Sequence, residues 1–187
     1  MVVLHGRGDS AEGFTFLPEQ LRIDEMNYLL LNAPERYYTG YSWYDLPPNQ
    51  LSGIERSREL LTQTLDTIFA NGYTPEETFL FGFSQGSLLT LEFGARYGKA
   101  LAGYIGISGY IYDAQRILKE MNPDVNANNW LVTHGTHDDV LDVRETRKQV
   151  SVLKEGGFVI DYREYRKPHT VLPEELDEIR EWIAERF

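Results

Sequence analysis

The chain has 187 residues, 42% of them apolar, which is enough for one domain with a sizeable buried core. Its 29 Asp and Glu against 18 Lys and Arg give a net charge of -11, which repels phosphate backbones and anionic lipid surfaces and argues against a nucleic-acid partner. The absence of cysteine excludes a disulfide framework, a thiolate zinc site and a Cys nucleophile, so covalent catalysis would run through Ser, Thr, Lys or a carboxylate. Every apolar run is far shorter than the roughly 20 residues of a membrane span, and no basic segment followed by a secretory core opens the chain. The expectation is a soluble protein with a cytoplasmic location.

Short apolar runs alternate with longer segments of helical period, without repeats or low-complexity tracts. Strands are predicted at Val2 to Leu4 and Tyr28 to Leu31. A helix follows from Ser52 to Asn71, where Ile54, Leu61, Leu65, Ile68 and Phe69 form one apolar stripe. Ser52 with Glu55 reads as its capping box, and Gly72 as the left-handed residue that ends it. The strand Phe79 to Phe83 leads into a helical run through Leu88, Leu91 and Phe93 toward Gly98. Strands at Tyr104 to Ile107 and Trp130 to Thr133 come next, then a helix opened by Asp142 and Glu145 and closed at Gly156 and Gly157. The last strand is Phe158 to Tyr162. The last helix starts at Pro173, with Glu174 and Glu175 at its positive end and Leu176, Ile179 and Ile183 docking on the sheet. Strands apolar on both faces imply a parallel sheet. The predicted fold class is therefore α/β, a doubly wound three-layer α/β/α sandwich forming a single domain over 1–187, whose ligands bind beyond the carboxyl ends of the strands.

The strand-end loops carry the chemistry. After the Phe79 strand, Gly82-Phe83-Ser84-Gln85-Gly86 is G-x-S-x-G between strand and helix, a sharp turn too crowded for side chains two residues either side of the serine. With 16 glycines in the chain such a match can also arise by chance; the strand before and the helix after are the context the mechanism needs. Ser84 is the candidate nucleophile, and the Gln85 N–H would point at the oxyanion. After the first strand, Gly6 and Gly8 flank Arg7, which either aims backbone amides at an anion or simply connects two elements; His5 is assigned a supporting role that fixes this loop. After the Trp130 strand, His134-Gly135-Thr136-His137-Asp138-Asp139 offers either metal ligands or a carboxylate that orients a distant histidine. No second histidine-rich loop stands at ligand spacing, and Asp138 is the chosen acid, with Asp139 or Asp142 capping the next helix. His169, after the last strand, is either a solvated loop residue or the base. The order Ser84, Asp138, His169, each on a different loop at one sheet edge, favours the base.

Leu4-His5-Gly6-Arg7-Gly8-Asp9, Asn32-Ala33-Pro34, Ser42-Trp43-Tyr44-Asp45, Gly82 to Gly86, Ile107-Ser108-Gly109-Tyr110, His134-Gly135 through Asp138, and His169 to Glu175 together resemble the carboxylesterase, acyl-protein thioesterase and lysophospholipase branch of the α/β-hydrolases. The resemblance spans nearly the whole chain. It implies an α/β-hydrolase fold with a mostly parallel sheet of about six strands, Asp138 rather than Asp139 as acid, the N–H groups of Arg7 and Gln85 as oxyanion donors, and Trp43 and Tyr44 beside the acyl or alcohol pocket.

Three departures stand out. Pro168 occupies a position where the branch usually has Gly, which predicts a stiffer histidine loop. Arg7 stands where relatives often carry a small aliphatic residue, so a guanidinium is expected at the pocket mouth. The chain begins inside what resembles the third strand of the family fold, lacking the usual first two strands, which predicts a truncated start or an open edge strand. The expected activity is hydrolysis of small carboxylic acyl esters through an acyl-enzyme, with kcat/KM climbing from acidic to neutral pH as a histidine base loses its proton, and with neither cofactor nor metal. Acyl-protein thioesterase or lysophospholipase action is the neighbouring reading, and a catalytically silent binding module the rival from another class. The short connection from Gly109 to Asn129 leaves little room for a lipase-style cap, and a homodimer is a compatible assembly.

Overall fold

A computed structural model describes residues 1–122 and 129–186. In chain order the elements are β1 (Val2–Leu4), α1 (Leu17–Leu21), β2 (Leu29–Leu31), β3 (Glu35–Tyr37), β4 (Gly40–Ser42), α2 (Gln50–Ala70), β5 (Phe79–Phe83), α3 (Gln85–Gly94), β6 (Gly103–Ile107), α4 (Ala114–Glu120), β7 (Trp130–Gly135), α5 (Val143–Glu155), β8 (Ile160–Tyr165) and α6 (Pro173–Ala184). Six strands make one parallel sheet in the order β2-β1-β5-β6-β7-β8. The reversal of chain direction across the sheet at β1 and β5 opens a crevice at the carboxyl ends of those strands.

Alternation along each strand sorts the core into two layers. Leu4, Leu80, Tyr104, Trp130 and Val132 pack with Ile54, Leu61 and Leu65 of α2, Leu88 and Leu91 of α3, and Val150 and Leu153 of α5. Val3, Phe79, Phe81, Ile105, Ile107 and Leu131 face the other way, onto Leu17 and Leu21 of α1 and Leu176, Ile179, Trp182 and Ile183 of α6. The edges differ from this interior. β2 is only partly buried, and β8 carries Asp161, Arg163 and Glu164, charges that discourage edge pairing.

Several boundaries depart from the sequence reading. α2 begins at Gln50, so Ser52 and Glu55 lie inside it, and Asn49 precedes it without a side-chain cap; Gly53 lets the first turns close on Tyr44, whose Cβ would stand 2.7 Å from a Cβ there. Gly72 does follow the helix with φ 98°. α3 ends at Gly94 rather than near Gly98: at Gly94 any Cβ would meet Tyr104 and Trp130 at 2.6 Å, so the helix end is pinned against β6 and β7. β8 starts at Ile160, since Phe158 is held in the turn that closes α5 by its N–H to the Leu153 carbonyl. Asp142 caps α5 through its carboxylate and the Arg144 N–H, and α6 begins at Pro173 as read. The antiparallel hairpin β3–β4 was missed, being three residues a strand with no apolar alternation. Part of the connection from Gly109 to Asn129, residues 123–128, lies outside the described residues. Among the described residues no helix is long and apolar enough to cross a membrane.

Candidate active site

Ser84 stands between β5 and α3 with φ 54° and ψ -113°, a conformation that costs a non-glycine residue about 1–3 kcal/mol. The Ser84 N–H donates to the Ile107 carbonyl at 2.9 Å, tying the turn to β6. Neighbouring backbone makes both motif glycines obligatory. A Cβ on Gly82 would lie 2.1 Å from the Gly86 carbonyl oxygen, and one on Gly86 2.1 Å from that of Leu4. The serine is thus lifted above the sheet at the head of α3.

His169 comes from the loop after β8, and its Nε2 lies 2.9 Å from Ser84 Oγ while its Nδ1 lies 2.7 Å from Asp138 Oδ2. An ionised carboxylate only accepts, so Nδ1 carries the proton and Nε2 is free to accept from the serine hydroxyl. The Asp138 side chain is fully shielded from solvent. Burial pushes its carboxyl up, but the N–H groups of Leu141 and Val140 and the His169 ring outweigh that and hold it below the ordinary range. His134 lies beneath it, its Nε2 donating to the Leu141 carbonyl at 3.0 Å and standing 3.4 Å from Asp138 Oδ2. Burial lowers the His134 pKa, so the ring favours the neutral form. His137 points to the exposed surface instead, beside Thr136, and does not converge with His134.

Pro168 leaves His169 aimed at Ser84, and Lys167 holds the loop from behind. The Lys167 ammonium is buried against the Glu175 carboxylate, 2.6 Å from Oε1, and Glu175 also accepts the Leu172 N–H in the first turn of α6. Burial lowers the Lys167 pKa, opposed by Glu175. The Lys167 carbonyl accepts the His137 N–H, and a Cβ on Gly135 would stand 2.3 Å from that carbonyl oxygen, so acid and histidine loops share backbone contact.

Across the serine lies the loop after β1. A Cβ on Gly6 would touch Ser84 Cβ at 3.3 Å, so the loop that carries Arg7 passes directly against the serine. Among the described residues no acceptor takes the Arg7 N–H, and Gln85, first in α3, has an N–H without an intrahelical acceptor. His5 fixes this loop: its Nε2 accepts the Ala33 N–H at 3.0 Å, leaving Nδ1 to donate to the Gly6 carbonyl. The β3–β4 hairpin clamps it from outside, Gly8 N–H donating to Tyr41 O and Tyr41 N–H to Asp9 O. Trp43 and Tyr44 are only 2% and 1% exposed, so they bear on the site through what they hold rather than by an open face. The Trp43 indole donates to the His5 carbonyl at 2.8 Å. Gln85 joins both halves, its Oε1 accepting from Trp43 N–H and Ser42 Oγ and its Nε2 donating to the Tyr44 carbonyl.

Sequence reasoning missed the Gln85 amide clamp, the Lys167–Glu175 pair and the position of His134. Glu175 was visible as a charge at the positive end of α6, but its buried partner eight residues earlier was not.

The sequence profile of the phospholipase/carboxylesterase family matches residues 1–186. Over 98% of this chain and 89% of the relative, the sequence is 27% identical to carboxylesterase SOBER1 of Arabidopsis thaliana. It is 26% identical to acyl-protein thioesterase 1 of Emericella nidulans, covering 98% of this chain and 88% of that one. The crystal structure of SOBER1 superposes with a TM-score of 0.90 at 27% identity, over 99% of this chain and 97% of that chain.

Proposed function

The chain belongs to the phospholipase/carboxylesterase family, and from that membership we propose that it hydrolyses carboxylic esters with Ser84 as nucleophile, His169 as general base and Asp138 as the carboxylate that orients it. The observation that carries this reading is the unbroken line from Asp138 Oδ2 through both nitrogens of His169 to Ser84 Oγ. His169 takes the hydroxyl proton as Ser84 Oγ attacks the carbonyl carbon. The N–H groups of Arg7 and Gln85 receive the developing oxyanion, the term usually largest in such sites. His169 then returns its proton to the leaving oxygen, and water repeats the sequence on the acyl-enzyme. Asp138 keeps the proton on Nδ1 and stabilises the imidazolium.

Small acyl esters are the favoured substrates, in line with the carboxylesterase relative. The thioesterase relative favours thioesters as the second reading, since the same attack serves either leaving group. Competition between p-nitrophenyl acetate and a palmitoyl thioester separates them. The assignment of Ser84 is tested by fluorophosphonate labelling: the wild-type chain takes one label at Ser84, while Ser84→Ala takes none and loses at least about 10⁴-fold in kcat. Labelling elsewhere, or undiminished turnover by Ser84→Ala, overturns it.

A further inference from the structure

Arg7 contributes its backbone to the proposed oxyanion site, but its side chain has no part in that chemistry. Several arginines of this acidic chain, among them Arg56, Arg96, Arg116, Arg147 and Arg163, meet a carboxylate within ion-pair distance. Among the described residues none does so for Arg7, and its Nε is shut away from solvent with no acceptor. The nearest acid in sequence, Asp9, accepts the Ser10 N–H at 2.8 Å and forms no ion pair with Arg7. An orphaned buried donor on a charged group is costly and rare in folded proteins.

The guanidinium is also held in place. Its carbon lies 4.0 Å above the Tyr37 ring, and Tyr37 belongs to the hairpin bonded to the loop on either side of Gly8. Much of the rotamer entropy that binding would cost an arginine is therefore already spent. Gly6, its chain neighbour, packs on Ser84 Cβ, so the side chain starts one residue from the nucleophile. An arginine presents a planar fork suited to a carboxylate.

We propose that Arg7 selects esters carrying a carboxylate a few bonds from the scissile carbonyl, on the acyl or the alcohol side. This rests on the reading of Ser84 as nucleophile. A carboxylate there meets the terminal nitrogens of the guanidinium, which no ion pair among the described residues engages, while the reacting carbonyl faces Ser84 and the enclosed Nε takes no part. A neutral substrate leaves them unpaired, and that difference is the source of selectivity.

Two matched pairs test the assignment: mono-p-nitrophenyl glutarate against p-nitrophenyl pentanoate for an acyl-side anion, and 4-acetoxybenzoate against its methyl ester for an alcohol-side one. For at least one pair, Arg7→Leu lowers the anionic-to-neutral ratio of kcat/KM by about ten- to hundredfold, whatever factor the two rates lose in common, and Arg7→Lys keeps part of the ratio. With the wild-type chain alone, raising salt lowers the ratio of the same pair. If both ratios are unmoved by Arg7→Leu and by salt while Ser84 still takes a fluorophosphonate, the role of Arg7 is overturned and the serine hydrolase reading stands. If Ser84 takes no label and no ester is turned over, both fall.

Discussion

Asp138 divides its oxygens between two tasks: Oδ1 accepts the N–H groups of Val140 and Leu141, while Oδ2 faces His169 at 2.7 Å and His134 at 3.4 Å. The first pair fixes the side chain in its loop, leaving the second oxygen to choose the tautomer of His169. Asp138→Asn changes that oxygen's neighbour, not its shape: an amide N–H facing Nδ1 forces the proton onto Nε2, where it blocks acceptance from Ser84. We expect kcat to fall by about 10³–10⁴-fold with little change in thermal stability, measured on p-nitrophenyl acetate and by circular dichroism. An equal loss of folded signal would mean the aspartate acts on the loop instead. Ser84, Asp138 and His169 were legible in sequence because residue type, loop position and chain order each constrain them separately. The place of His134 was not, since its contact with Asp138 depends on how one loop turns back on itself.

The histidine loop and α6 form one mechanical unit through Lys167 and Glu175, both fully shielded from solvent. A buried pair owes its worth to completeness, because either ion left alone keeps its desolvation cost without the compensating attraction. Lys167→Met therefore strands the Glu175 carboxylate and should cost about 3–5 kcal/mol in urea unfolding, whereas Lys167→Met with Glu175→Leu should recover most of that loss. The double variant keeps a shape-filled core but loses the ion pair behind His169, so kcat should stay depressed when stability returns. If kcat recovers in step with stability, the pair serves folding alone. At this scale the start of α6 could be read from Pro173 and its acidic first turn, and the stripe of α2 from its spacing. The start of α2 and the β3–β4 hairpin could not. Both are set by what they pack against: Gly53 on Tyr44, and Gly40 within 2.3 Å of the Gly8 carbonyl oxygen if it bore a Cβ.

The doubly wound three-layer class followed from alternation of apolar strands with helical segments, so a site at the carboxyl rim was expected before any side chain was placed, while the order of strands in the sheet was not. A property of the whole molecule then follows from what that architecture buries. His5 and His134 are 1% and 0% exposed, and burial lowers both pKa values below the ordinary 6.5, while Asp138 is held below 3.8 by its donors. A group whose folded pKa is depressed stabilises the fold above its unfolded pKa and loses that contribution as pH falls toward the folded value. The histidines set the upper window, beginning near pH 6.5, and Asp138 a second one below about pH 4. Two opposing effects accompany acidification: relief of repulsion in a chain of net charge -11, and Glu92, whose carboxyl burial pushes up. The first is spread over the surface and fades at high salt, where the Debye length shrinks to about 3 Å at 1 M. Glu92 acts nearer the carboxylate range, its stabilising contribution present at low pH and lost as pH rises through its folded value. In high salt, then, Tm should fall between pH 7 and 5 because of the histidines and of the Met1 ammonium, whose pKa burial lowers to about 6, and His5→Gln with His134→Gln should reduce that slope even while lowering Tm throughout. A double variant that keeps the wild-type slope would place the acid sensitivity in groups other than the two histidines.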